Sequence, residues 1–113
     1  MSRALSRKAR GAKTVALLAE RWQQWIYPYA TDVGAGRPGN DLLHTGSLAV
    51  EVKARDTVSI EAALRQATHN HPDSTPILVW RHNGQGEKTM DEWTVSMRLK
   101  DFEGLWERAQ KIP

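Results

Sequence analysis

The sequence predicts an α/β protein, a sandwich in which a mixed central β-sheet is flanked by α-helices. Three observations predict it. Segments with apolar residues at helical spacing alternate with segments of strand pattern. One of these, Pro76-Ile77-Leu78-Val79-Trp80-Arg81, is a continuous apolar run of the kind that fills the middle of a sheet covered on both faces. Turns rich in glycine, proline and asparagine separate the segments. The 113 residues suffice for one domain, 1–113, with a single core. Typical element and loop lengths leave room for roughly four or five strands and two or three helices.

The first helix is expected from Arg7 to about Ile26, with Ser6 as its N-cap. Val15, Leu18, Trp22, Trp25 and Ile26 form its apolar stripe, with Ala19 inside it, and Pro28 stops it. The stretch Gly34-Ala35-Gly36-Arg37-Pro38-Gly39-Asn40 excludes regular structure. A short apolar piece follows, Asp41-Leu42-Leu43-His44, then a turn at Gly46. Ser47 to Ala54 alternates as a strand, with Leu48, Val50 and Val52 on one face and Ala49, Glu51 and Lys53 on the other. This strand is expected to be central.

Ser59 caps a second helix to about His69, whose buried stripe is Ile60, Ala63, Leu64 and Ala67. After the strand at Pro76 to Arg81, Asn83-Gly84-Gln85-Gly86 signals a turn. Trp93 to Leu99 alternates as a further strand. Asp101 caps a last helix carrying Phe102, Leu105 and Trp106.

Composition narrows the function classes. With no cysteine, disulfides and thiolate metal sites are excluded. No apolar run approaches the ~18 residues of a membrane span. The basic N-terminus lacks the apolar stretch of a secretion signal, so the cytoplasm is the expected compartment. The formal charge of +3 is unevenly spread: Arg3, Arg7, Lys8, Arg10 and Lys13 all precede the first acidic residue, Glu20. Such a cluster attracts polyanions, chiefly nucleic acid; the plainer alternative is a solvated, flexible basic tail over residues 1–10.

Chemistry concentrates at Gly39-Asn40-Asp41 and Glu51-Val52-Lys53. Glu51 and Lys53, two apart on a strand, point the same way. A hairpin through Thr45, Gly46 and Ser47 brings Asp41 close to Glu51. Two carboxylates so placed repel each other and invite a hard cation, Mg²⁺ or Mn²⁺, with oxygen ligands. A metal-acidified water can attack a phosphodiester, and a lysine beside it can orient that water or offset charge on the phosphate. The plainer alternative is a Glu–Lys pair on a solvated strand face, with Asp41 capping a loop.

Gly39-Asn40-Asp41, the short hairpin and Val50-Glu51-Val52-Lys53 resemble the PD-(D/E)xK nuclease superfamily, whose fold is the restriction-endonuclease-like sandwich. The layout runs from the basic helix through Gly36-Arg37-Pro38-Gly39-Asn40-Asp41 and Val50-Glu51-Val52-Lys53 to a helix with Leu64-Arg65-Gln66-Ala67. As a whole it is similar to small Holliday-junction resolvase-like proteins of bacteriophages and archaea. The resemblance implies a metal-dependent endonuclease that resolves four-way DNA junctions as a homodimer. It implies that Asp41 and Glu51 hold the metal, that the Val52 carbonyl adds a ligand, and that Lys53 acts on the attacking water or the phosphate. Gln66 either faces this site or is an ordinary exposed helix residue. The family often carries a first-helix glutamate near the metal. The expected place, one turn after Gly11, holds Val15 here, so either Glu20 serves from a shifted position or Asp41 and Glu51 suffice. Arg7, Lys8, Arg10, Lys13, Arg37 and Arg55 then grip phosphates without reading sequence. Two alternatives stand beside this: another DNA nuclease of the same superfamily, for repair or restriction, and a DNA-binding module without catalysis.

Two short matches carry no function. Gly34-Ala35-Gly36-Arg37-Pro38-Gly39 fits the dinucleotide-binding glycine pattern, but no helix opens after it, so a nucleotide cofactor is not expected. His69 and His71 are two apart and lie on different faces of a helix end. The tryptophans are core candidates, with Trp22, Trp25 or Trp106 as alternatives for a dimer surface.

Overall fold

A computed structural model describes residues 7–33 and 41–111. The elements in order are α1 (Arg7–Gln23), β1 (Thr31–Asp32), β2 (Leu42–Leu43), β3 (Leu48–Ala54), α2 (Ile60–Asn70), β4 (Thr75–Arg81), a 3₁₀ segment (Glu87–Glu92), β5 (Thr94–Ser96) and α3 (Leu99–Gln110). The expected Ser6 cap, the flexible tail at its residues 1–6 and the glycine-rich stretch 34–40 lie outside the described residues.

The α/β class and the mixed sheet are as the sequence predicts. Strands β3, β4 and β5 form one sheet in that order, β3 parallel and β5 antiparallel to β4, while β1 and β2 form a separate antiparallel pair. The apolar run Pro76 to Arg81 is indeed the middle strand. The strand bearing Glu51 is not: among the described residues β3 is an outer strand, paired with β4 on one side only.

Alternation in β3 and β4 sorts their side chains onto two faces. Val50, Val52, Ile77 and Val79 pack with Leu18, Ala19 and Trp22 of α1. Leu78, on the other face, packs with Ala63 and Leu64 of α2, with Trp80 partly buried beside them. Each face of the β3–β4 pair therefore carries one helix. Ser59 caps α2 as expected, its hydroxyl accepting from the Ala62 N–H at 3.2 Å. Ile60, expected in the buried stripe, is 40% exposed, because it stands in the first turn of α2, before the helix reaches the sheet.

Three boundaries differ from the sequence reading. α1 ends at Gln23 rather than Ile26, through tight hydrogen bonds from Gln24 N to Arg21 O and from Trp25 N to Trp22 O. Pro28 disfavours helical geometry at the residue before it. The Gln23 side chain then ties the returning chain at Ala30 O, 2.7 Å away. Trp25 and Ile26 consequently leave the core, at 61% and 57% exposed, whereas Trp22 stays buried and is not available to a dimer surface. β5 covers only Thr94–Ser96, and α3 begins at Leu99, capped at Arg98, so Asp101 sits in the first helical turn instead of capping it. Leu99 fits both periods: two steps after Met97 in a strand, and three before Phe102 in a helix. Finally, Glu87–Glu92 forms a 3₁₀ segment, anchored at both ends by Gly86, whose N–H donates to Thr89 Oγ1 and whose carbonyl accepts from Trp93 Nε1.

The turn into β3 is tightly specified. His44 and Gly46 both have positive φ, 61° and 62°. A Cβ at Gly46 would lie 3.0 Å from Tyr27 Cε1, whereas Gly84, also at positive φ, has nothing within 4 Å. Gly46→Ala should therefore destabilise the fold by more than the ~1–2 kcal/mol expected from a left-handed backbone alone, and Gly84→Ala by no more than that. Paired thermal or urea melts of the two variants check this; equal losses would show that Tyr27 yields freely.

Candidate active site

The site is built on the outer edge of β3. Among the described residues no strand forms a ladder with that edge. Asp41 takes two of its backbone groups. Its N–H donates to Val50 O at 3.1 Å, and its Oδ2 accepts from Val52 N–H at 2.6 Å. The turn through Thr45, Gly46 and Ser47 folds the chain back onto β3 as expected, with Leu48 N–H donating to Thr45 O at 3.2 Å and Asp41 N–H closing on Val50 O. The strand ladder of Leu42 and Leu43 is nevertheless with Thr31 and Asp32 of β1, and Leu42 is buried in the core. Val33 N–H donating to Asp41 O at 3.3 Å extends that ribbon to Asp41 itself. Asp41 is thus held from both sides, by the turn into β3 and by β1.

Glu51 projects to the α2 face, opposite Leu78 in register, and is only 6% exposed. Its Oε1 lies 3.8 Å from Lys53 Nζ, a charge contact longer than a hydrogen bond. Its Oε2 is buried and has no hydrogen-bond partner. Burial, then the adjoining Asp41 carboxyl by hydrogen bond and by charge, pushes the Glu51 carboxyl up to about 8, against a smaller opposing pull from Lys53. At neutral pH and without a cation, the Glu51 carboxyl therefore retains its proton.

Lys53 is more open, with 26% of its side chain exposed. It lines a cavity of about 160 Å³ with Arg55, Val58, Ser59, Ala62, Ala63 and Gln66. Gln66 and Arg55 thus meet Lys53 in one cleft, between the end of β3 and the first turns of α2. Gln66 is an exposed residue of α2 that also lines this cleft, so both alternatives stated for it describe its position. Trp80 fixes the backbone at Arg55, its Nε1 donating to Arg55 O at 2.7 Å while its ring stacks on His82 at 3.9 Å.

The remaining expected residues divide. Glu20 is exposed on α1, the helix over the opposite face from Glu51, and it is not brought to the pair. The Val52 N–H donates to Asp41 Oδ2, which sets Val52 beside the carboxyl pair. Lys13 is exposed on α1. Arg10 reaches the end of β3, its Nε donating to Ala54 O at 3.1 Å. Arg7 and Lys8 belong to the first turn of α1, with side chains outside the description, and Arg37 lies outside the described residues.

Arg81 is a residue the sequence reading missed. It ends β4 opposite Ala54, so it joins Lys53, Arg55 and Arg10 at the C-terminal end of the parallel strands. Ligands of open α/β sheets bind at that end, which was the available signal.

Asp41 and Glu51 are the residues that could hold a hard divalent ion. Among the described residues no group of three or more His, Cys, Asp or Glu converges. The site instead offers two carboxyls, one with an orphaned buried oxygen, and Mg²⁺ is commonly held by one or two carboxylates with water completing its shell. No helix among the described residues is long and apolar enough to cross a membrane. In comparisons with protein families, curated proteins and solved structures, the chain matches none.

The raised Glu51 value has a signed consequence. Between its ordinary 4.5 and about 8, the folded chain holds a proton that the unfolded chain has lost. Stability of the metal-free protein should therefore fall as pH rises through that window, by up to about 1.4 kcal/mol per pH unit from this group. Glu51→Gln should flatten the dependence and be the more stable protein at pH 8. Urea melts across pH 5 to 8 test it, and an unchanged slope in the variant would place the titration elsewhere.

Proposed function

We propose that this chain is a divalent-metal-dependent DNA endonuclease of the PD-(D/E)xK type, with the restriction-endonuclease-like fold, and that its substrate is branched DNA, chiefly the four-way junction. The observation that carries the reading is the convergence of Asp41, Glu51 and Lys53 at one edge of β3, with Glu51 Oε2 buried and unpartnered. Burying a carboxyl against another carboxyl is costly, and a cation between them removes the cost. The motif layout, which resembles that of junction resolvases, supports the choice of substrate.

In this reading Asp41 and Glu51 hold Mg²⁺ or Mn²⁺, whose charge acidifies water and polarises the phosphodiester when bound. The chain's own groups do the rest. Asp41 is fixed by Val52 N–H, so it needs no reordering on ligand entry. Glu51 gives up its proton to become a ligand. Lys53, at the mouth of the cleft, offsets charge growing on the phosphate oxygens as the water oxygen bonds to phosphorus and one P–O ester bond breaks. Gln66, across the same cleft, can hydrogen-bond that water or a phosphate oxygen. Arg10, Lys13 and Arg55 hold backbone phosphates. A four-way junction is two-fold symmetric and needs paired cuts, so the working unit is a homodimer. The apolar side chains exposed on α3, Leu99, Phe102, Leu105 and Trp106, offer area for that contact.

The test is a labelled synthetic junction incubated with the protein and Mg²⁺. Paired nicks are expected, abolished by EDTA and lowered at least about 10²–10³-fold by Lys53→Ala. Asp41→Asn is the cleaner probe at its position, because it keeps an acceptor for Val52 N–H; Asp41→Ala strands that amide at a cost of about 1–3 kcal/mol. Equal cutting of linear duplex would remove the junction preference and leave the nuclease. Intact DNA after long incubation with Mg²⁺ or Mn²⁺ would remove the nuclease as well.

A further inference from the structure

On the α1 side of the sheet, away from Glu51 and Lys53, a closed ring of contacts sets two guanidinium groups side by side. Arg10 Nε donates to Ala54 O at 3.1 Å. Ala54 stands opposite Arg81 in the β3–β4 register. Arg81 Nη1 donates to Thr14 Oγ1 at 3.0 Å. The Thr14 hydroxyl, fully buried, donates in turn to Arg10 O at 2.7 Å, one helical turn back. Arg81 Nε is fixed as well, on Gln85 O at 2.6 Å.

Every acceptor in this ring is neutral. No carboxylate among the described residues pairs with either arginine; the ion pairs lie elsewhere, at Arg21–Asp91, Lys53–Glu51 and Arg65–Glu61. Burial and then the Arg10 charge lower Arg81 from its ordinary range, as expected for two cations held together without a counter-ion. Arg10 uses only its Nε in the ring, and Arg81 keeps its Nη2, which lies beside Gly86. Two partly immobilised, unneutralised forks with donors to spare suit a tetrahedral oxyanion.

We propose that Arg10 and Arg81 form a clamp for one backbone phosphate of DNA, at the strand ends but on the sheet face opposite the carboxyl pair. The clamp rests on the DNA reading for its ligand and not on cleavage. It assigns the α1 side a defined grip, so that nucleic acid would straddle the C-terminal end of β3 and β4.

The test is binding of a fluorescein-labelled DNA duplex in EDTA, by anisotropy over a range of salt, so that no cutting intervenes. Arg81→Gln and Arg10→Gln should each weaken binding about tenfold, and each should reduce the slope of log K against log salt by about one. Because both hold the same phosphate, the double variant should match either single one within about twofold. Additive losses would overturn the shared clamp. Gly86→Asp guards against misfolding as a cause: an aspartate there faces Arg81 Nη2 and neutralises the clamp while both arginines remain. It should weaken binding as Arg81→Gln does, with no fall in melting temperature. Unchanged DNA affinity in these variants would overturn the proposal even if junction cleavage is found. So would loss confined to inorganic phosphate, followed by NMR of the arginine Nε–H signals, which would identify a site for the free ion. Weakened binding without any cleavage would leave the clamp standing and remove the nuclease.

Discussion

One carboxylate holds the site together structurally before it does any chemistry. Asp41 occupies the free edge of β3 in the manner of a neighbouring strand residue, giving an N–H to Val50 and taking one from Val52. An edge strand otherwise presents unpaired backbone groups. Satisfying them with an aspartate fixes its oxygens within reach of the side chain of Glu51, the residue between those two partners. The unusual state of Glu51, buried, orphaned on one oxygen and raised in pKa, follows from this placement. Replace Asp41 by a residue that pairs only through its backbone and Glu51 would lose its acidic neighbour.

The second organising constraint is the two-faced sheet. Because β3 and β4 run parallel and in register, their C-terminal ends coincide, and the side chains there fan to opposite sides. Lys53 turns toward α2 and opens into the cleft with Gln66 and Arg55; Arg81 turns toward α1 and meets Arg10. A cation-rich rim thus borders both faces of one strand end, while the only buried acidic side chain of the described residues sits just inside it.

Much of this was legible in the sequence because it depends on local pattern. Strict alternation placed Glu51 and Lys53 on one face of a strand, the apolar run identified β4, and Ser59 announced α2. What was not legible depends on contacts between distant segments. The two-residue strand β1 has no pattern of its own and exists only through its pairing with Leu42–Leu43. That pairing holds Asp41 from the side away from β3, in addition to the turn that folds it back onto Val50. The outer position of β3 was hidden for the same reason, since a strand covered by helices on both faces reads as central whether or not both edges are paired. Arg81 looked like the polar end of an apolar run; its role appears only when the register sets it opposite Ala54. Glu20 shows the opposite failing: a resemblance in one helix suggested a ligand that the packing of α1 leaves in solvent.

The proton on Glu51 changes what the molecule presents to its surroundings. The formal charge of +3 counts Glu51 as ionised, yet with its carboxyl pushed up to about 8 the metal-free chain at neutral pH carries more positive charge than that count. In the proposed reading a divalent ion held there would displace the proton, so that it would add only one net unit to the protein and would load more easily in alkaline surroundings than in acidic ones.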